Sequence, residues 1–115
     1  MKNREIKFRV WDHVSKIFYY FDLEEIPLGC ATCIHTPQQF TGLKDKNGKE
    51  IYEGDIVRVY NSDGERYDVL DYQVFYNSRW AQFELITSNS LAYYLIQYCT
   101  FEILGNIFEN PELLE

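Results

Sequence analysis

Ile6, Phe8 and Val10 alternate with Lys7, Arg9 and Trp11 at the N-terminal end of the chain, the period of a strand with one buried face. Asp12 to Ser15 reads as a turn and Lys16 to Phe21 as the returning strand, so the chain opens on a β-hairpin. Asp22 can accept from the N–H groups that follow it, which predicts one helical turn to Ile26, stopped by Pro27. Leu28 to Gln38 follows neither period and is read as a loop, and Phe40 to Leu43 as a short extended piece. Lys46-Asn47-Gly48-Lys49 is the strongest hairpin signal, because Asn-Gly tolerates the two positive φ angles of a type I′ turn. Glu53-Gly54-Asp55 is a tight corner leading into the strand Ile56 to Tyr60, and Asn61 to Gly64 is the next turn. Strands are predicted over Tyr67 to Tyr76 and Trp80 to Ile86, joined at Asn77-Ser78-Arg79. Leu91 to Tyr98 fits a strand or a short helix, and Thr100 to Leu104 is a strand ended by Gly105-Asn106. Pro111 to Leu114 is a terminal helical turn, with Asn110 as its cap and Pro111 in its first position. Short strands separated by turn signals point to an all-β barrel or rolled sheet.

Composition narrows this picture. At 115 residues the chain is read as one domain over 1–115, and 46% apolar with 17% aromatic residues is far from a disordered composition. Ten Tyr and eight Phe favour strands, where rings lie across their neighbours. The formal charge of −7 argues against generic duplex DNA binding, which depends on Lys and Arg displacing counterions. Two basic groups do occur: Lys2, Arg4, Lys7 and Arg9, and Lys44, Lys46 and Lys49, the latter offset by Asp45 and Glu50. The charged N-terminus is unlike a signal peptide, and no apolar run reaches the roughly 18 residues of a membrane span. Three cysteines, an odd number in a chain large enough to need no disulfide, suit a reducing cytoplasm.

Three segments resemble the YopX family of phage and prophage proteins: Arg4 to Asp12, Phe40 to Val57 and Ile103 to Leu114. The resemblance implies a β-rich fold with an SH3-like barrel, encoded by a temperate phage or an integrated element, and it implies no reaction. Leu28 to Gln38 and Asn61 to Tyr98 depart most from the family pattern, and a partner-specific surface is expected there.

Candidate chemistry is sparse. Cys30-x-x-Cys33 with His35 and the distant Cys99 offers four zinc donors, but without the second paired knuckle of a strong zinc motif; free or loop cysteines are the simpler reading. Glu53 and Asp55 around Gly54 are a carboxylate pair in form, yet a corner explains them. Asp12-His13 lacks a nucleophile to activate. Gly42, Gly48 and Gly54 recur every six residues without the Gly-Lys-Ser/Thr of a phosphate loop, and mark turns; Gly42, Asn47, Gly48, Gly54, Asp55, Gly105, Asn106, Asn110 and Pro111 are all assigned structural roles. Tyr52, Tyr60, Tyr67, Tyr72, Tyr76 and Trp80 are the candidate binding aromatics, for a protein partner or for stacked single-stranded bases. The expectation is a non-enzymatic accessory protein with no cofactor, binding a host or phage protein or a second copy of itself through exposed strand edges. The alternatives are a single-stranded nucleic-acid barrel and an acidic mimic of DNA that occupies a host enzyme.

Overall fold

In the computed structural model, which describes residues 5–25, 30–61, 63–66, 70–87, 92–94 and 99–114, the alternating N-terminal segment forms the predicted hairpin. Strand β1 (Lys7–Asp12) pairs antiparallel with β2 (Ile17–Asp22) in unbroken register from Lys7 opposite Asp22 to Asp12 opposite Ile17. Strands β3 (Gln38–Lys44) and β4 (Glu50–Tyr52) complete a four-stranded sheet of order β2-β1-β3-β4. Strands β5 (Asp55–Tyr60), β6 (Tyr72–Asn77), β7 (Gln82–Ile86), β8 (Ala92–Tyr94) and β9 (Thr100–Asn106) form a second sheet of order β8-β7-β6-β5-β9. All pairings are antiparallel, and one 3-10 turn, Pro111–Leu114, follows. The fold is all-β, as the pattern predicts. Val57, Val59, Tyr72, Val74, Leu85 and Phe101 of the second sheet pack with Ile51 of the first into one core.

Turn chemistry explains most connections. Asp45 accepts the N–H groups of Asn47 (2.9 Å) and Lys49 (2.9 Å) through Oδ1, and its backbone is bridged to Gly48 and Lys49. Gly48 has a φ of 84° whereas Asn47 keeps a negative φ, so the expected type I′ turn is replaced by a three-residue loop with its bulge at Gly48. The Asp45 side chain selects this loop by holding two N–H groups at once. Asn61 builds the same turn: its Oδ1 accepts Asp63 and Glu65 N–H (both 3.0 Å), and Gly64 sits at φ 81°. Gly42 lies in a bulge where β3 fits four steps, Phe40 to Lys44, against two in β4.

Other expectations are corrected. Asp22 does accept from Glu24 and Glu25 N–H (2.8 and 3.1 Å), but it closes a bend at the strand end, and no helical turn forms over 22–25; residues 26–29 lie outside the described residues. Strand β6 runs from Tyr72, residues 70–71 before it not being strand and 67–69 lying outside the described residues; β7 begins at Gln82 rather than Trp80, because Trp80 and Ala81 (φ 52°) belong to the turn. Within Leu91 to Tyr98 the described residues 92–94 are strand. Asn110 precedes the 3-10 turn as predicted, but its side chain turns back to accept Asn106 N–H (3.3 Å) instead of capping it. The cysteines differ most: Cys30 and Cys33 are joined in a disulfide, against the expectation that the chain uses none, while Cys99 is free and packs against the core.

Candidate functional site

The corner Glu53-Gly54-Asp55 turns the chain from one sheet into the other, and its positive φ of 82° at Gly54 needs a glycine. A Cβ there would run into the Gln38 carboxamide. Asp55 and Arg9 are 2% and 4% exposed, and Arg9 Nη2 donates to Asp55 Oδ1 at 2.8 Å and to the Glu53 carbonyl at 3.0 Å. Arg9 Nε donates to Gln38 Oε1 at 2.8 Å, and Tyr52 N–H reaches Asp55 Oδ2 at 2.8 Å. The guanidinium lies between the rings of Phe18 (4.1 Å) and Tyr52 (5.0 Å). Burial pushes the Asp55 carboxyl up, against the downward pull of Arg9 and Tyr52 N–H. This pair links β1 to β5, and so the first sheet to the second. The sequence reading placed Arg9 in the N-terminal basic group, whereas the fold buries it against Asp55, 46 positions away.

Above the ion pair opens a cleft of about 440 Å³, walled by Phe18, Tyr20 and Tyr52 on one side and Ile103 to Asn106 on the other. Most of its charged groups are already engaged, Glu50 with Lys7, Glu109 with Asn106 Nδ2 (3.0 Å), and Asp55 with Arg9, and Lys49 also lines it. Burial, with Glu50 nearby, pushes the Tyr52 hydroxyl up to about 12. Asn106 Oδ1 accepts Phe108 and Glu109 N–H (both 3.0 Å), and Gly105 leaves room that a Cβ would take from the Asn110 carboxamide. These residues hold the C-terminal turn in place. Phe108 at its tip stacks on Trp11 (5.4 Å, 5° between planes).

The predicted binding aromatics do not share one surface. Tyr52 and Tyr72 are each 3% exposed and belong to the interior. Tyr60 is fixed between Glu102, which accepts its hydroxyl at 2.9 Å, and the Lys46 ammonium 4.5 Å from its ring. Tyr76 and Trp80 are exposed on the β6–β7 hairpin, with Arg79 5.8 Å from the Trp80 ring; Tyr67 lies outside the described residues. Nor do the four proposed zinc donors converge. His35 packs on Phe108 (4.8 Å), Cys99 lies against the core, and the grouping among the described residues is Asp12 with the bonded Cys30 and Cys33.

A surface outside the predicted binding residues is β2, whose Tyr19-Tyr20 pair puts one ring on each face of the strand. Ile17, Tyr19 and Tyr20 are 48%, 39% and 60% exposed, so both faces of this edge strand meet solvent. The alternation of β2 is as apolar as that of a core strand, which is why exposure could not be read from it. Tyr20 leans edge-on against Tyr52 (5.6 Å), placing the strand beside the cleft mouth.

A family model described as YopX protein matches residues 30–115. The SPbeta prophage-derived protein YopX of Bacillus subtilis (strain 168) is 32% identical over 75 residues, covering 59% of this chain and 52% of that protein, so the match spans about half the length of the curated relative. Among solved structures, protein EF1440 from Enterococcus faecalis matches 98% of this chain and 100% of its own with a TM-score of 0.61 at 23% identity. Protein yopX from Bacillus subtilis matches 95% of this chain and 98% of its own with a TM-score of 0.59 at 22% identity. Likeness at such identities speaks for the fold, and the family model, over three-quarters of the sequence, for the kinship: the chain belongs to the YopX family of phage and prophage proteins.

Proposed function

We propose that this chain is a phage- or prophage-encoded accessory protein that works by binding a protein rather than by catalysis, and that β2 is the strand through which it binds. The observation carrying this reading is an apolar edge strand exposed on both faces, a surface that adds a strand of a partner through main-chain hydrogen bonds. Aromatic side chains at Tyr19 and Tyr20 supply the contact area that protein interfaces favour. The engaged charges of the cleft support a binding role, since Arg9, Asp55, Glu50 and Glu109 each already hold a partner within the fold. We read the second sheet as an SH3-like barrel, because a four-strand meander whose fifth strand returns beside the first is that fold's strand order. The place of action is the cytoplasm of the bacterial host.

The test is affinity capture from nuclease-treated host lysate with the wild-type chain and Ile17→Lys. A protein recovered by the first and lost by the second is expected; equal recovery by both overturns the assignment of β2. A second reading rests on exposed Trp80 beside Arg79 and Tyr76, which suits stacking of single-stranded bases at the β6–β7 hairpin. Salt-sensitive binding of labelled oligonucleotides, lost in Trp80→Ala, is its expected result, and no binding at low salt removes it.

A further inference from the structure

Natural sheets blunt their edges with short strands, charges, bulges or covering loops. Three edges of this molecule follow that rule among the described residues. Strands β4 and β8 are three residues each. The outer edge of β9 is covered by the β3–β4 turn: Ile103 N–H donates to Asp45 Oδ2 (3.1 Å), and Lys46 N–H to the Phe101 carbonyl (2.8 Å). Among the described residues, strand β2 follows none of it. Its six residues run without register shift, proline or glycine, and no charge interrupts Ile17 to Phe21.

We infer that β2 pairs antiparallel with β2 of a second copy of this chain, Tyr19 facing Tyr19 across a two-fold axis. The inference rests on the reading of β2 as the binding strand and names its partner. Symmetry restricts the register. A two-fold axis normal to the sheet keeps odd residues on one face in both copies, so two facing residues must both be odd or both be even. With Tyr19 on the axis, Ile17 faces Phe21 and Phe18 faces Tyr20, and Lys16, the turn residue just before the strand (φ 60°), comes close to Asp22 of the second copy. Opposite charges thus flank the apolar run Ile17 to Phe21, and antiparallel self-pairing brings them together. Asp22 uses Oδ1 for the bend at Glu24 and Glu25, which leaves Oδ2 for Lys16. An anonymous peptide would have to supply this charge order; a second copy already has it. Two four-stranded sheets become one of eight, and the exposed Ile17, Tyr19 and Tyr20 gain cross-strand neighbours. A contact about 20 Å long lies at the small end of specific interfaces, so a reversible dimer is expected.

Position 19 is the test, because any substitution there meets itself. Sedimentation of the purified chain is measured over a wide concentration range for wild type, Tyr19→Lys, Tyr19→Glu and their equimolar mixture. A concentration-dependent dimer is expected for wild type. Each charged variant alone should associate about tenfold more weakly, and the mixture should recover a mixed dimer. Lys16→Glu, in the β1–β2 turn next to the strand, should also weaken association, and circular dichroism checks that each variant is folded. A wild type that stays monomeric, variants that dimerise like wild type, or a mixture that does not recover would each overturn the pairing. Monomeric wild type that still captures another protein through Ile17 refutes self-pairing alone, whereas monomeric wild type with no β2-dependent capture refutes the proposed function as well.

Discussion

Strands β2 and β9 both end a sheet, yet their outer edges are treated in opposite ways. At β9 the carboxylate of Asp45 and the amide of Lys46 occupy the edge, Lys46 also lies 3.7 Å from Glu102, and the strand closes onto the preceding turn. At β2 the described residues offer no such cover, and Ile17, Tyr19 and Tyr20 stand in solvent. One aspartate explains the difference. Asp45 shapes its own loop with one oxygen and closes the neighbouring strand with the other, whereas Asp12 at the β1–β2 turn holds Val14 and Ser15 N–H and the Thr32 hydroxyl, and among the described residues closes no strand edge. The fold therefore has the means to close an edge and uses it on one side, and the open β2 is the surface we propose for a partner.

The contrast presupposes that the two sheets hold together, and the largest effect tests that. Arg9→Ala leaves Asp55 buried without its counter-ion and should cost about 3–5 kcal/mol of stability in chemical denaturation, as breaking a buried pair does. Gly54→Ala comes next: positive φ and the collision with Gln38 together should cost about 2–3 kcal/mol, whereas Gly48→Ala, with open space around it, should cost only about 1 kcal/mol. Asp45→Ala strips a buried acceptor from three N–H groups and should cost about 2 kcal/mol; it also uncovers β9, so light scattering should report self-association that wild type lacks at that edge. Ile17→Lys should change stability by no more than about 0.5 kcal/mol, since the side chain is exposed in the free chain.

Acid should weaken the closed turns. Burial pushes Asp45 up, but the N–H groups of Ile103, Lys49 and Asn47 outweigh it and hold the carboxyl below its ordinary range. The Thr32 hydroxyl, with Ser15 and Val14 N–H, brings Asp12 down to about 2. For a carboxyl lowered in the folded state, stability is complete above its unfolded pKa of about 4 and is lost as pH falls through the folded value. Denaturation midpoints should thus fall between about pH 4 and pH 2, and Asp12→Asn should flatten that fall.

The elements legible in the sequence were those whose cause is local. Gly48 and Gly54 mark real turns because positive φ is a property of one residue, and the β1–β2 hairpin follows from period 2 over a few positions. Asp22 was correctly seen to accept the N–H groups after it, but the strand before it fixes a bend rather than a helix. Arg9 was not legible as a core residue, because its partner Asp55 lies 46 positions away and only the fold joins them. Tyr52 and Tyr72 looked like surface aromatics for the same reason: which face of a strand is covered depends on what crosses it. The Cys30–Cys33 bond likewise depends on the path of the loop, and not on the size of the domain.

Hydrogen–deuterium exchange, followed amide by amide at low and high protein concentration, tests the contrast between the two edges most directly. The account predicts that Ile103 of β9 is protected equally at both concentrations, while the outward amides of β2 exchange freely in dilute solution and become protected as concentration rises. Protection of those β2 amides already complete in dilute solution, or unchanged by concentration, would contradict it.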